Sequence, residues 1–135
     1  MASIRKEIAI AADLGAIWDA IRDVGAVHRR LAPGFVTDVK MDGDARIVTF
    51  GNGLVARELI VDVDDNGRRL VWSVVGGRMT HHNASLQVFA GEKGGSRVVW
   101  IADLLPNDLA GAIAGMIEQG MSVMKGTLVR AGKSG

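Results

Sequence analysis

Residues 106–130, PNDLAGAIAGMIEQGMSVMKGTLVR, form the segment on which the interpretation of the whole chain depends. Its apolar residues recur at helical spacing, so the segment is predicted to be one long amphipathic helix. Pro106 suits the first turn of such a helix, where its missing N–H has no cost. The apolar stripe consists of Leu109, Ile113, Met116, Ile117, Gly120, Met121, Met124 and Leu128.

Four glycines interrupt this predicted helix, at Gly111, Gly115, Gly120 and Gly126. Each interior glycine destabilises a helix by about 1 kcal/mol relative to alanine. Their presence therefore indicates close approach to another surface, a bend, or open space beside the helix. The methionines of the stripe pack adaptably against irregular partners. The segment is interpreted either as an ordinary helix covering a sheet or as one wall of an adjustable apolar cavity.

The composition is typical of a single globular domain spanning residues 1–135, with 48% hydrophobic and 23% charged residues. A net charge of +1 without a block of like charge argues against a nucleic-acid surface. The absence of cysteine excludes disulfides, thiol catalysis and thiolate metal ligands. A metal site would need His82 together with distant carboxylates, so we expect no metal. We also expect no cofactor.

Membrane insertion is not expected from the hydropathy of the chain. No apolar run approaches the roughly 18 residues that are needed to cross a bilayer. The N-terminal segment carries charge where a signal peptide would need its apolar core. We therefore expect a soluble cytoplasmic protein.

The rest of the chain changes from helical to strand periodicity at Pro33-Gly34. Before this break we predict a strand over 3–10, a helix over 14–22 capped by Asp13, and a short helical segment over 26–31. After it, apolar residues alternate in short runs that are separated by glycine-rich turns. The strands predicted there are 35–41, 45–50, 54–63, 69–75, 80–89 and 96–105.

These elements predict an α+β fold in which a seven-stranded antiparallel sheet curves around the C-terminal helix. Their order resembles the Bet v 1-like superfamily, also called the START-like or helix-grip fold. More narrowly, the chain is similar to small bacterial proteins of the polyketide cyclase/dehydrase type. The segments that carry the resemblance are 13–20 (DLGAIWDA), 55–59 (VAREL), 69–74 (RLVWSV), 98–100 (VVW) and Leu105-Pro106. The resemblance implies a hydrophobic cavity between the sheet and the last helix, but no particular activity.

Strand alternation predicts which side chains face that cavity. Trp72, His82 and Trp100 fall on the apolar faces of three consecutive strands. The strand over 54–63 is ambiguous. One register places Arg57 inside together with Val55, Leu59, Val61 and Val63, and we prefer it because that set is more apolar. The other places Glu58 inside with Leu54 and Ile60, and a β-bulge would reverse the assignment downstream.

The candidate site therefore combines aromatic walls with one imidazole and one guanidinium, which suits an apolar ligand bearing a carbonyl, hydroxyl or carboxylate. The predicted ligand-binding residues are Arg57, Trp72, His82, Trp100, Met116, Gly120 and Met124. The two catalytic candidates are His82 and Arg57. Each has an ordinary alternative, because a buried histidine or tryptophan often belongs to the core and Arg57 could face solvent.

Three functions remain open at this point. The first is binding of a small hydrophobic ligand that is aromatic, polyketide-like or lipid-like. The second is a polyketide cyclase/dehydrase-type enzyme in which His82 shuttles a proton and Arg57 stabilises enolate charge. The third is a protein-interaction module that uses the methionine-rich helix and a sheet edge. The oligomeric state, monomer or homodimer, also stays open.

Overall fold

The computed structural model describes residues 2–134 and contains one seven-stranded antiparallel sheet with a long C-terminal helix over that range. The strands are β1 (Ala2–Ile10), β2 (Val36–Asp42), β3 (Ala45–Phe50), β4 (Val55–Asp64), β5 (Arg69–Val75), β6 (His81–Ala90) and β7 (Ser96–Leu105). The helices are α1 (Leu14–Arg22), a π-helical turn (Val27–Leu31), a 3-10 turn (Asn107–Leu109) and α2 (Ala110–Ser134). The predicted α+β helix-grip fold is confirmed.

The strand order β1-β7-β6-β5-β4-β3-β2 follows from the short turns of the second half of the chain. From β2 to β7 each strand pairs with the next, as expected when antiparallel neighbours are joined by tight turns. The first strand, β1, pairs with β7 at the edge of the sheet, and α2 packs against β1. Side chains from β2 to β7 and from α2 line one common cavity, so the sheet bends around the helix.

Local sequence accounts for the beginnings of the helices. Asp13 caps α1, and its side chain accepts hydrogen bonds from the backbone N–H groups of Gly15 and Ala16 at 3.1 and 3.2 Å. The C-terminal helix starts later than predicted. Pro106 has extended backbone angles and precedes the 3-10 turn, so the α-helix itself begins at Ala110.

The helix α1 is attached to the turn between β4 and β5 through two side chains. Nε1 of Trp18 donates to Oδ1 of Asp65 at 2.9 Å, and Nε of Arg22 donates to the same oxygen at 2.8 Å. The indole of Trp18 is otherwise buried, as expected of a core residue on a short amphipathic helix. One carboxylate therefore fixes the position of α1 relative to the sheet.

The inner face of the sheet, which faces α2, carries the apolar sets that strand alternation predicts. Leu70 and Trp72 of β5 are buried there. The same holds for Ala84, Leu86 and Val88 of β6 and for Val98, Ala102 and Leu104 of β7. From α2, Ile117, Met121, Met124 and Leu128 complete this core. The period of two therefore correctly identified the inner face of these three strands.

The preferred register of β4 is wrong. Val55, Arg57 and Leu59 lie on the outer, solvent-facing side, where Val55 is 62% exposed. Glu58 is buried on the inner face instead. The pairing of β4 with β5 shifts by one residue between Ile60 and Asp62, a β-bulge of the kind that reverses side-chain orientation downstream. The apolar pattern of β4 alone predicts the wrong inner face, because it treats Glu58 as an exposed residue. Glu58 can be buried since Arg46 on the neighbouring strand compensates its charge.

No helix within residues 2–134 is both long and apolar enough to span a bilayer.

Candidate functional site

A cavity lies between the inner face of the sheet and α2. Its volume is about 90 Å³, counted as the space in which the centre of a water molecule can lie. A single water molecule needs roughly 10–15 Å³ of such space, so the cavity is large enough for a small organic molecule. Its walls are mainly aliphatic and aromatic, and they come from the π-helical turn, from β2 to β7 and from α2.

Six of the seven predicted ligand-binding residues line this cavity. They are Trp72, His82, Trp100, Met116, Gly120 and Met124. The rings of Trp72 and Trp100 meet edge to face, with centroids 5.8 Å apart and planes at 65°. Such a pair forms a rigid aromatic wall. The contact brings together two strands that are not adjacent, since β6 lies between them.

Gly120 has a direct packing role at the cavity. A Cβ atom at this position would lie 3.0 Å from Cε2 of Phe35 and 3.3 Å from Cζ3 of Trp100. The missing side chain therefore lets both rings approach α2, so that close approach, one of the three explanations that the sequence left open, applies to Gly120. Gly111 and Gly115 differ, because added Cβ atoms there would meet open space.

Arg57 does not belong to the cavity. It is exposed on the outer face of β4, where its Nη1 donates to Oδ2 of Asp42 at 2.8 Å. The prediction that Arg57 points inward is corrected by the register of β4. The guanidinium that does line the cavity belongs to Arg46 on β3.

Arg46 and Glu58 form a buried ion pair in the cavity wall. They lie directly opposite each other on β3 and β4, and Nε of Arg46 donates to Oε1 of Glu58 at 2.8 Å. Their side chains are only 6% and 9% exposed. Burial raises the pKa of the Glu58 carboxyl, and the nearby charge and hydrogen bond of Arg46 oppose that shift. The pair places two hydrogen-bonding groups in a mainly apolar site.

Arg46 is held by two further contacts. Its Nη1 donates to the carbonyl oxygen of Val24 at 3.2 Å, and its guanidinium carbon lies 5.4 Å from the ring centroid of Trp72. A guanidinium over an indole face is attracted by the ring quadrupole. Trp72 therefore contacts both Trp100 and Arg46, and it connects the aromatic wall to the ion pair.

His82 lines the cavity from β6 as a partly buried imidazole. Burial lowers its pKa below the ordinary value of 6.5, and the neighbouring His81 lowers it further. Within the described residues, its Nδ1 is buried without a hydrogen-bond partner, and so is Nε1 of Trp100. This environment favours the neutral imidazole, and its Nδ1 retains unused hydrogen-bonding capacity.

The sequence did contain a signal for the Arg46–Glu58 pair. The glycine-rich turn Gly51-Asn52-Gly53 joins β3 to β4. A hairpin centred on Asn52 places Arg46 opposite Glu58, because both lie six positions from its centre. Opposite charges in directly facing positions are a favourable cross-strand pair. Hairpin register, rather than the hydrophobic pattern of either strand alone, would have identified them.

Within residues 2–134, the histidines, aspartates and glutamates form no group of three that could hold a metal ion. The titratable groups of the cavity wall in that range are Arg46, Glu58 and His82. These residues can supply hydrogen bonds and a fixed positive charge, or can exchange protons with a bound molecule.

Comparisons with known proteins add the following findings. A sequence model described as "Polyketide cyclase / dehydrase and lipid transport" matches residues 1–129. An uncharacterized protein from Bacillus thuringiensis has a similar structure, with a TM-score of 0.84 at 17% identity over 95% of this chain and 99% of that one. A protein from Thermobifida fusca has a TM-score of 0.77 at 26% identity, over 93% and 91% of the two chains. No curated protein matches the sequence.

A further similar structure is a point mutant of norcoclaurine synthase from Thalictrum flavum, in complex with a transition state analogue. It has a TM-score of 0.72 at 17% identity, over 98% of this chain and 94% of that one. At this level of identity the comparison shows a common fold.

Proposed function

Because the chain belongs to the polyketide cyclase / dehydrase and lipid transport family, we propose that it binds a small, mainly apolar ligand in the cavity between the sheet and α2. The family supports a ligand-binding role in general. The observation that carries the proposal is the cavity itself, whose mainly apolar walls also include the side chains of Arg46, Glu58 and His82. An apolar pocket with a few convergent polar groups is typical of a ligand-binding site.

The aromatic residues favour a ligand with a flat or cyclic part. Trp72 and Trp100 form one edge-to-face pair, and Phe35 and Phe50 form another with centroids 5.5 Å apart. All four rings line the cavity. A planar ring placed between them would gain aromatic contacts beyond simple area burial.

The wall formed by α2 favours adaptation to ligands of different shape. Met116 and Met124 reach the cavity from this helix, and Gly120 lies between them. Methionine changes rotamer easily and fills irregular spaces. Ligands somewhat larger than the empty cavity, including polyketide-like or lipid-like molecules, would therefore be accommodated by movement of these side chains.

The proposal is tested with the neutral fluorophore N-phenyl-1-naphthylamine. We expect saturable binding, seen as increased probe fluorescence and as quenching of tryptophan. Val48 faces the cavity from β3, whereas the neighbouring Thr49 lies on the opposite face of the same strand. Val48→Phe should therefore weaken binding at least about tenfold, which corresponds to roughly 1.4 kcal/mol. Thr49→Phe is the matched control and should bind like the wild type.

Circular dichroism of both variants establishes that they are folded. Native mass spectrometry of protein purified from cells provides a second test, since a co-purified small molecule is expected. If the folded wild type binds no apolar probe, or if the two phenylalanine variants weaken binding equally, the cavity is not the ligand site.

A second candidate function, proton-transfer catalysis of the cyclase/dehydrase type, is favoured by one observation. Glu58 and His82 line the same cavity, and their pKa values are shifted toward each other, upward for the carboxyl and downward for the imidazole. Perturbed pKa values of buried groups that share a cavity are typical of functional sites. In this version His82 accepts a proton, and Arg46 takes the charge-stabilising role that was first assigned to Arg57.

Turnover of an aromatic poly-β-ketone thioester analogue, followed by mass spectrometry, tests the catalytic role. Accelerated cyclisation that is lost in His82→Gln and Glu58→Gln, but kept in Arg57→Ala, supports an enzyme. Equal rates with and without the protein contradict it.

A further inference from the structure

Protonation can change the net charge of the Arg46–Glu58 pair only from neutral to positive. Arginine side chains stay protonated at every pH that a protein experiences, whereas a carboxylate such as that of Glu58 can take up a proton. The pair is therefore either neutral or positive, and it cannot become negative. A buried anion can be balanced by Arg46 once Glu58 is protonated, but a buried cation has no such compensation.

Arg46 also has donors to spare. A guanidinium carries five N–H groups, and its hydrogen bonds to described residues use one from Nε and one from Nη1. The contact with Glu58 is a single hydrogen bond from Nε rather than the paired, parallel arrangement that binds carboxylates most strongly. An incoming carboxylate could therefore make at least as good a contact as Glu58 does.

The surroundings of the pair contain few competing charges. From β6, His82 is the other titratable group of the cavity wall. The residues that α2 contributes are Ile113, Met116, Ile117, Gly120 and Met124, none of which titrates. The π-helical turn contributes Val27 and Leu31, which are apolar. Within the described residues, Arg46 is therefore the permanent cation of the cavity.

We propose that the ligand of this cavity is an aromatic or aliphatic carboxylate, whose anionic group binds Arg46 in place of Glu58. This inference rests on the proposed binding function and specifies its ligand class. Glu58 acts as an internal anion that occupies Arg46 while the cavity is empty. When the ligand binds, Glu58 loses its ion pair in an apolar environment and takes up a proton from solvent. Carboxylate binding is thus linked to proton uptake.

The first experiment compares 2-naphthoate with its neutral isostere 2-naphthamide by isothermal titration calorimetry. Repeating the titrations in buffers of different ionisation enthalpy, between about pH 6 and pH 9, gives the number of protons bound with each ligand. For 2-naphthoate we expect tighter binding than for 2-naphthamide, and uptake approaching about one proton in part of this range. For 2-naphthamide we expect no proton uptake. These measurements use the wild-type protein and do not depend on a variant.

The second experiment uses three variants. Glu58→Gln should bind 2-naphthoate at least about tenfold more tightly than wild type, without proton uptake. His82→Gln should still take up a proton when it binds 2-naphthoate. That result would assign the proton to Glu58 rather than to His82. Arg46→Met/Glu58→Met should lose the preference for 2-naphthoate but still bind N-phenyl-1-naphthylamine.

Two results would overturn the inference. One is 2-naphthamide binding as tightly as 2-naphthoate without any difference in proton uptake. The other is absence of 2-naphthoate binding. The proposed function itself stands in both cases if N-phenyl-1-naphthylamine binds the wild type and Val48→Phe weakens that binding more than Thr49→Phe does.

Discussion

Arg46 and Glu58 face each other across β3 and β4, and their 2.8 Å hydrogen bond lies in the wall of an apolar cavity. An ion pair in such an environment loses hydration, so its net contribution to stability is small. Removal of one partner, however, leaves an uncompensated buried charge. The pair is therefore better explained by its position in the site than by a need for stability.

This argument predicts the outcome of a double-mutant cycle. Arg46→Met alone should lower the free energy of unfolding by about 3–5 kcal/mol, because Glu58 is left buried without a partner. Arg46→Met/Glu58→Met should recover most of that loss. Urea unfolding followed by tryptophan fluorescence gives the free energy of unfolding of the wild type, Arg46→Met, Glu58→Met and the double variant. As a surface control, Arg57→Ala breaks an exposed pair with Asp42 and should cost at most about 1 kcal/mol. Additive effects of the two methionine substitutions would contradict the coupling.

The two glycines Gly115 and Gly120 of α2 predict opposite responses to alanine. Gly115→Ala adds a methyl group in open space and should stabilise the protein by up to about 1 kcal/mol through helix propensity. Gly120→Ala gains the same propensity but forces Phe35 and Trp100 away from the helix. It should therefore be less stable than Gly115→Ala. Urea midpoints measure the difference, and equal stabilisation of the two variants would show that Gly120 is not a packing requirement.

The lowered pKa of His82 predicts a pH dependence of stability. The folded state favours the neutral imidazole, so this contribution is fully present above the ordinary pKa of 6.5 and is lost as the pH falls through the lowered folded value. His82→Gln should therefore lose less stability than the wild type when the pH is lowered from about 7.5 to 5.5. Urea unfolding across this range gives the comparison. Parallel pH profiles for the two proteins would mean that His82 titrates as it does in the unfolded chain.

Asp65 is predicted to control the attachment of α1 to the sheet. Its Oδ1 accepts hydrogen bonds from Trp18 and Arg22, and the Arg22 hydrogen bond lowers the pKa of this carboxyl. Asp65→Ala should lower the urea midpoint and expose the Trp18 indole, which would be seen as a red shift of its fluorescence in a Trp72→Phe/Trp100→Phe background. Asp62→Ala, which removes another exposed carboxylate nearby, is the control. An unchanged Trp18 spectrum in Asp65→Ala would contradict this role.

Much of the fold was predictable because the relevant information is local. The segment over 14–22 shows helical spacing behind an Asp13 cap, and α1 occupies those residues. Each of the seven predicted strands corresponds to an observed strand, with boundaries that differ by at most one residue. The resemblance to the polyketide cyclase/dehydrase type is confirmed by the family match over residues 1–129.

The sequence alone determined the helix-grip fold, the inner faces of β5 to β7 and the cavity position of Trp72, His82 and Trp100, since periods of 2 and 3.6 residues directly assign side chains to faces. Only the tertiary structure decided that Glu58 rather than Arg57 faces inward. The apolar pattern of β4 favours the opposite face, and burial of Glu58 depends on a cation twelve positions earlier on the neighbouring strand. Electrostatic compensation between strands is not visible in the periodicity of either one, and it is what places the Arg46–Glu58 ion pair in the wall of this cavity.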